Sequence, residues 1–205
     1  MPRRFLFLLL AFPLLALAQA PQPPGLVARA WVLADVSSGQ ILAAEKADER
    51  FEPASLTKLM TAYVVFQKIK AGVLKLDQSI TVSELAARQP PSKLGMKAGS
   101  ALTVDLALQV LLVYSANDMA YVLAEAAAGT AQRFVQEMNL NASRLGMTAT
   151  YFANPNGLFD PRQVTSARDI GFLAATILRE FPSTPIISSS RTSRSASAGS
   201  STATY

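Results

Sequence analysis

Apolar and polar positions follow two different periods along this 205-residue chain. Near the N-terminus, "RAWVLADV" (29–36) and "QILAAEK" (40–46) are short apolar runs parted by "SSG", which predicts a β-hairpin. From Ser55 the period lengthens. Leu56, Leu59, Met60, Tyr63, Val64 and Phe66 recur near helical spacing, so a helix is expected from Ser55 to Gly72, with Pro53 setting an extended approach. "SITVSELAARQPPSKLGMKAGSALTV" (79–104) mixes short alternating stretches with turn residues and is expected to form small strands and loops. Thr103 with Asp105 opens a helix that runs to Tyr114. "SAND" (115–118) interrupts it, and "MAYVLAEAAAG" (119–129) resumes helical spacing and closes at Gly129. An amphipathic helix over 130–146 ends at Gly146. A loop follows at "ATYFANPNGLFDPRQ" (149–163), punctuated by Asn-Pro and Asn-Gly. Ser166 with Asp169 has the form of a capping box and opens a last helix, "SARDIGFLAATILREF". From 182 to 205 the chain turns to Ser, Thr and Ala without a period, and this tail is expected to be disordered. The pattern is therefore α+β: one hairpin, then a helical body. Two strands alone are marginal, so further C-terminal sheet strands are expected to be missing.

The first twenty residues change the picture of where the protein acts. Arg3 and Arg4 precede an apolar run, and small residues at 16–20 ("ALA" or "AQA") form a cleavage site, so 1–20 reads as a signal peptide rather than an anchor. The run is short for a membrane span and broken by Pro13. Residues 21–28 then form a Pro-rich linker, and 29–181 the folded domain, expected to be exported to a periplasmic or other extracytoplasmic compartment. The net charge is +5, part of it on Arg3, Arg4, Arg191 and Arg194, and no basic run interleaves aromatics, which argues against nucleic acid. With no cysteine and no histidine, disulfides, thiolate metal sites and histidine bases are excluded. No cofactor or metal is expected. Catalysis must draw on Ser, Thr, Lys, Asp, Glu or Tyr.

"FEPASLTKLM" (51–60) places Ser55 and Lys58 three apart, on one helix face. A serine hydroxyl needs a base, and a lysine serves only when burial or another cation brings down its pKa from about 10.4. At a helix N-terminus the dipole and free N–H groups favour a developing oxyanion. The same spacing also fits an N-cap serine followed by a solvated lysine. Ser115 and Asn117, in the polar break "YSANDMA", admit two readings as well. One is a helix–helix turn capped by Asn117 or Asp118. In the other, Ser115 relays a proton while Asn117 orients Lys58 and binds a substrate amide. An S-x-x-K followed by S-x-N is a signature of penicillin-binding proteins and class A β-lactamases.

"FEPASLTKLMTAYV", "VYSANDMAYVLAE", "RFVQEMN" with "LGMTATYFANPNGL", and "TSARDIGFLA" stand in order. Together they closely resemble the serine-type D-alanyl-D-alanine carboxypeptidases, the low-molecular-mass penicillin-binding proteins, over roughly Arg29 to Phe181. The resemblance implies a β-lactamase/transpeptidase-like fold. It also implies peptidoglycan stem peptides ending in D-Ala-D-Ala as substrate and β-lactams as covalent inhibitors. In that scheme Ser55 is the nucleophile, Lys58 the general base, Ser115 the proton carrier and Asn117 a substrate-binding residue.

The family's third motif, K-T-G or K-S-G, does not occur. "KAGS" at Lys97 precedes Ser115 and lacks the hydroxyl residue, and "RTS" at Arg191 lacks the glycine. In the family that strand binds the substrate carboxylate and supplies part of the oxyanion hole, whose loss can cost roughly 3 kcal/mol of transition-state stabilisation. The expectation is a truncated or frameshifted carboxypeptidase domain with no visible membrane anchor. The alternatives are an inactive periplasmic fragment and a class A β-lactamase. The latter requires a glutamate with an asparagine four residues on, and none of Glu125, Glu137 and Glu180 is expected to have one.

Overall fold

In the computed structural model, residues 25–182 are described. The proposed leader and the Ser-rich tail beyond Pro182 lie outside them. Strands β1 (Trp31–Ala34) and β2 (Ile41–Glu45) form the expected antiparallel hairpin, with Trp31 opposite Glu45 and an irregularity between Leu33 and Ala34. Its turn is organised by Asp35, whose carboxylate accepts from the Ser37 hydroxyl and from both the amide and hydroxyl of Ser38. These bonds hold the Asp35 carboxyl down to about 2. A second antiparallel ribbon pairs β3 (Ser79–Thr81) with β4 (Ala101–Thr103), and turns Ile80 and Leu102 into the core.

Six α-helices belong to the described chain: α1 (Thr57–Lys70), α2 (Glu84–Ala87), α3 (Val104–Tyr114), α4 (Asn117–Ala128), α5 (Ala131–Arg144) and α6 (Ala167–Glu180). Helix α2 falls inside the segment expected to be strands and loops. It is one turn long, and Ser83 caps it by accepting from the Ala86 amide. Helix α1 differs from the expected one-sided helix. Residues Met60 to Phe66 are all buried, because α3, α4, α5 and α6 surround it. Helix α4 packs closely with its neighbours through the small residues Ala120, Ala124 and Ala127. Helix α5 keeps the predicted stripe, burying Phe134, Met138 and Ala142 at four-residue steps. Phe181, just past α6, closes the bundle edge-on against Tyr63, with ring centroids 5.9 Å apart.

The hairpin rests on α6. A Cβ built on Gly171 would stand 2.7 Å from Val32 Cγ1, so only glycine lets β1 approach this closely. Between hairpin and helix lies a cavity of about 270 Å³ lined by Val32, Ile41, Met147, Phe172 and Ala175. None of its lining residues belongs to the Ser55–Lys58 region. No described helix is long and apolar enough to cross a membrane.

Candidate active site

Ser55 sits in one turn of 3-10 helix, Ala54–Leu56, that runs directly into α1. It caps nothing: the residue at the α1 N-cap is Leu56, with no side-chain cap bond. Ser55 is exposed, whereas Lys58 is only 3% exposed. The picture of a capping serine followed by a solvated lysine is thus not what the chain adopts. Ala54 holds a left-handed φ of +46°, a strained conformation for a residue with a side chain. Gly157 packs against it. A Cβ on Gly157 would fall 1.9 Å from the Ala54 carbonyl oxygen, and its own φ is +88°.

The Lys58 amine meets three oxygen atoms. It bonds Ser55 Oγ at 3.1 Å, Asn117 Oδ1 at 3.0 Å and the Asn156 carbonyl at 2.6 Å. No carboxylate is among these partners, and burial lowers its pKa from 10.5 to about 8. Roughly a tenth of the molecules would then carry a neutral amine at pH 7.

Asn117 comes from the break between α3 and α4. The break is narrower than the sequence suggests. Only Ser115 and Ala116 are non-helical, and Asn117 is the first residue of α4 rather than its cap. Its Nδ2 donates to the Pro90 and Pro91 carbonyls at 3.0 and 3.1 Å, which fixes Oδ1 toward Lys58. Its backbone N–H donates to the Ser92 carbonyl at 2.7 Å. With both Nδ2 bonds in place, contact with a substrate amide through that nitrogen requires one of them to be exchanged. Next to it, the Asp118 carboxylate accepts from the Leu94, Gly95 and Met119 amides and pins the 90–95 loop to α4.

Ser115 adopts a left-handed conformation, φ +56° and ψ +37°, and lines an open cleft of about 450 Å³ together with Ser55, Lys58, Leu59, Leu111 and Leu112. The four residues singled out from the sequence are therefore gathered at one place, but Ser115 makes no direct bond to the Lys58 amine. Apolar walls, a buried amine of lowered pKa and an exposed hydroxyl bonded to it are the parts needed for nucleophilic attack by serine. The proline carbonyls, Asn156 and Gly157 are partners that the sequence shows only as turn-forming residues in "RQPPS" and "FANPNG".

The expected lack of a glutamate with an asparagine four residues on does not hold. Glu137 does have an asparagine four residues on, Asn141. That pair is engaged elsewhere: Glu137 lies 2.9 Å from Lys68 Nζ, and Asn141 Nδ2 donates to the Glu137 carbonyl. Lys68 is ten residues beyond Lys58 on α1, about 15 Å along the helix. The class A β-lactamase alternative therefore finds no water-activating glutamate in this pair.

The chain was compared with known proteins. The sequence profile of the D-alanyl-D-alanine carboxypeptidase family matches residues 17–203. The D-alanyl-D-alanine carboxypeptidase DacC of Escherichia coli is 38% identical over 184 residues, which is 87% of this chain and 45% of that protein. Among solved structures, the D-alanyl-D-alanine carboxypeptidase DacD from Francisella tularensis superposes with a TM-score of 0.77 at 41% identity, covering 80% of this chain and 40% of that one. Penicillin binding protein 5 from Haemophilus influenzae gives 0.77 at 37% identity, covering 80% and 48%. The chain thus spans less than half the length of these relatives. The described residues have the fold of part of the penicillin-binding proteins, β-lactamase/transpeptidase-like as the motifs implied.

Proposed function

The chain belongs to the D-alanyl-D-alanine carboxypeptidase family, and from that premise we propose that Ser55 forms an acyl-enzyme with peptides ending in D-Ala-D-Ala and with β-lactams. The observation that carries this reading is the exposed Ser55 hydroxyl bonded to a buried Lys58 amine whose pKa is lowered to about 8. Neutral Lys58 takes the Ser55 proton as Oγ bonds to the carbonyl carbon of the penultimate D-alanine. The C–N bond then breaks, and the departing amine receives the proton by way of Ser115. Water attacks the resulting ester, Lys58 again accepting its proton, and as the acyl C–Oγ bond breaks Lys58 returns the proton to Ser55 Oγ, freeing the shortened peptide and Ser55. With a β-lactam the broken C–N bond belongs to the ring, so the amine stays tethered and the acyl-enzyme persists. Asn117 orients Lys58. The reading places the protein in an extracytoplasmic compartment where peptidoglycan lies, delivered by residues 1–20, with 29–181 as the penicillin-binding unit.

The chain has no K-T-G string, so a carboxylate clamp of that kind is not among the residues proposed, and both acylation and hydrolysis are expected to be slow. The purified 205-residue chain should be labelled by a fluorescent penicillin, and Ser55→Ala should abolish the label. Because the base form of Lys58 appears as pH rises through about 8, the labelling rate should climb about tenfold per unit below that point and level off above it. A folded wild-type sample that takes no label would overturn the acyl-enzyme reading and leave a non-catalytic relative that at most binds cell-wall peptide. A rate indifferent to pH between 6 and 9 would remove Lys58 as the base.

A further inference from the structure

The turn Asn154–Gly157, between α5 and α6, touches the nucleophile segment at three consecutive residues. The Pro155 carbonyl accepts from Thr61 Oγ1 at 2.6 Å, the Asn156 carbonyl accepts from Lys58 Nζ at 2.6 Å, and Gly157 lies against the Ala54–Ser55 peptide. The turn is itself tightly held. Gly157 N donates to Asn154 Oδ1, Leu158 N to Asn156 Oδ1, and the Ala153 and Asn154 amides to Gln163 Oε1. Asn156 is 1% exposed, and its Nδ2 donates to Gln89 Oε1 at 3.0 Å.

The chemistry of the three Lys58 partners gives this turn a role. An ammonium has three N–H donors and finds three acceptors here. A neutral amine has two N–H donors and one lone pair. Asn117 Oδ1 is fixed toward Lys58 by the two proline carbonyls, and the Asn156 carbonyl can only accept. Neither can donate to a lone pair. Ser55 Oγ is the single partner of the three that can reverse its bond and give a proton. Two fixed acceptors therefore turn the lone pair of neutral Lys58 onto the Ser55 hydroxyl. Gly157 adds the second half of the alignment, since the space it leaves lets Ala54 keep its left-handed turn and present Ser55 beside the amine.

We propose that the Asn154–Gly157 turn is a positioning element of the acylation site, with the Asn156 carbonyl aiming the Lys58 lone pair at Ser55 and Gly157 seating the Ala54–Ser55 peptide. Asn156, Gly157 and Gln89 are then positioning residues, acting through Lys58 and Ser55. The proposal rests on the acyl-enzyme reading for its consequence but not for its geometry, and two measurements on the full chain separate them.

The first is acylation of Gly157→Ala by fluorescent penicillin, resolved into pre-covalent affinity and first-order acylation rate. A methyl directed into the Ala54 carbonyl should lower the rate about a hundredfold, the scale expected for misplacing a reacting group by an ångström, with affinity little changed. An unchanged rate, or a loss confined to affinity, would overturn the role of Gly157. The second is an NMR titration of isotopically labelled lysine in wild type and Asn156→Ala, which requires no reaction. Releasing the carbonyl from its hold removes an acceptor from the ammonium, so the Lys58 midpoint should fall by about one unit from its wild-type value near 8. A midpoint that stays put would assign Asn156 to stability alone. One that rises to the ordinary lysine range would mean that burial was lost, and would equally overturn the proposal. If wild type takes no penicillin label, the acyl-enzyme reading fails while this titration still decides whether the turn aims the amine.

Discussion

At the scale of single residues, the first turn of α1 buries two polar side chains in succession, Thr57 at 0% and Lys58 at 3% exposure. Their situations are opposite. Each Lys58 donor has an acceptor, so a charged or neutral amine can be kept there at the expense of a lowered pKa. Thr57 Oγ1 is buried with no hydrogen-bond partner among the described residues. A buried hydroxyl left unpaired costs about 1–3 kcal/mol. Thr57→Val keeps the branched shape and removes the orphan group, so urea unfolding should show a gain of about 1 kcal/mol. A loss of that size would show that the hydroxyl is bonded in solution and that its burial is not a liability. S-x-x-K names the serine and the lysine, while the residue between them that bears on stability carries no sequence signal. Whether a hydroxyl finds a partner depends on what the fold brings to it.

At the scale of elements, sequence signals are most reliable where a helix is started or stopped by its own neighbours. Thr103 and Ser166 accept from the Leu106 and Asp169 amides, as N-caps do, and Gly129 and Gly146 take positive φ at helix ends. The expected capping box at α6 is only half realised. Ser166 caps, but the buried Asp169 carboxylate turns instead to the preceding loop, accepting from the Ala149 amide at 3.0 Å and the Thr150 hydroxyl at 2.7 Å and tying the loop after α5 to α6. The two residues should therefore behave differently. Ser166→Ala removes one cap and should cost about 1 kcal/mol. Asp169→Ala leaves the Ala149 amide unpaired and should cost about 2 kcal/mol. Equal losses in denaturant midpoints would restore the simple capping box. The elements that local signals misplace are those decided by tertiary contact. Asn117 and Asp118 look like a polar break, yet they are helical because Pro90, Pro91, Lys58, Leu94 and Gly95 satisfy their side chains. Helix α1 has residues near one-sided spacing and is buried all round because four helices enclose it.

At the scale of the whole molecule, the candidate site is gathered from residues 53–58, 89–92, 115–117 and 154–157. The side-chain members stand out as motifs. The carbonyls of Pro90, Pro91 and Asn156 do not, since every residue has a carbonyl and only the fold decides which one faces an amine. The same assembly leaves the chain unevenly supported. Helices α1 and α4 lie at the centre of one contiguous core, α4 against α1, α2, α3, α5 and β3. The β1–β2 hairpin pairs with no third strand among the described residues, has Leu33, Ile41 and Leu42 exposed, and meets the body chiefly along α6 at Gly171. The Arg168–Asp48 ion pair nearby is exposed and adds little. Two strands with most of their faces wet are marginal on their own. Local opening follows the density of buried contacts, so the hairpin should open at a free energy well below that of global unfolding, while the α1 and α4 amides should exchange only when the whole domain unfolds. Hydrogen exchange read by mass spectrometry on the full chain tests this directly. Residues 31–45 should exchange first, 60–66 and 119–127 last, and Gly171→Ala, by pushing β1 off α6, should quicken the hairpin without touching α4. If the hairpin amides are as protected as those of α4, the hairpin belongs to the same cooperative unit as the helices, and the reading of a weakly held hairpin fails.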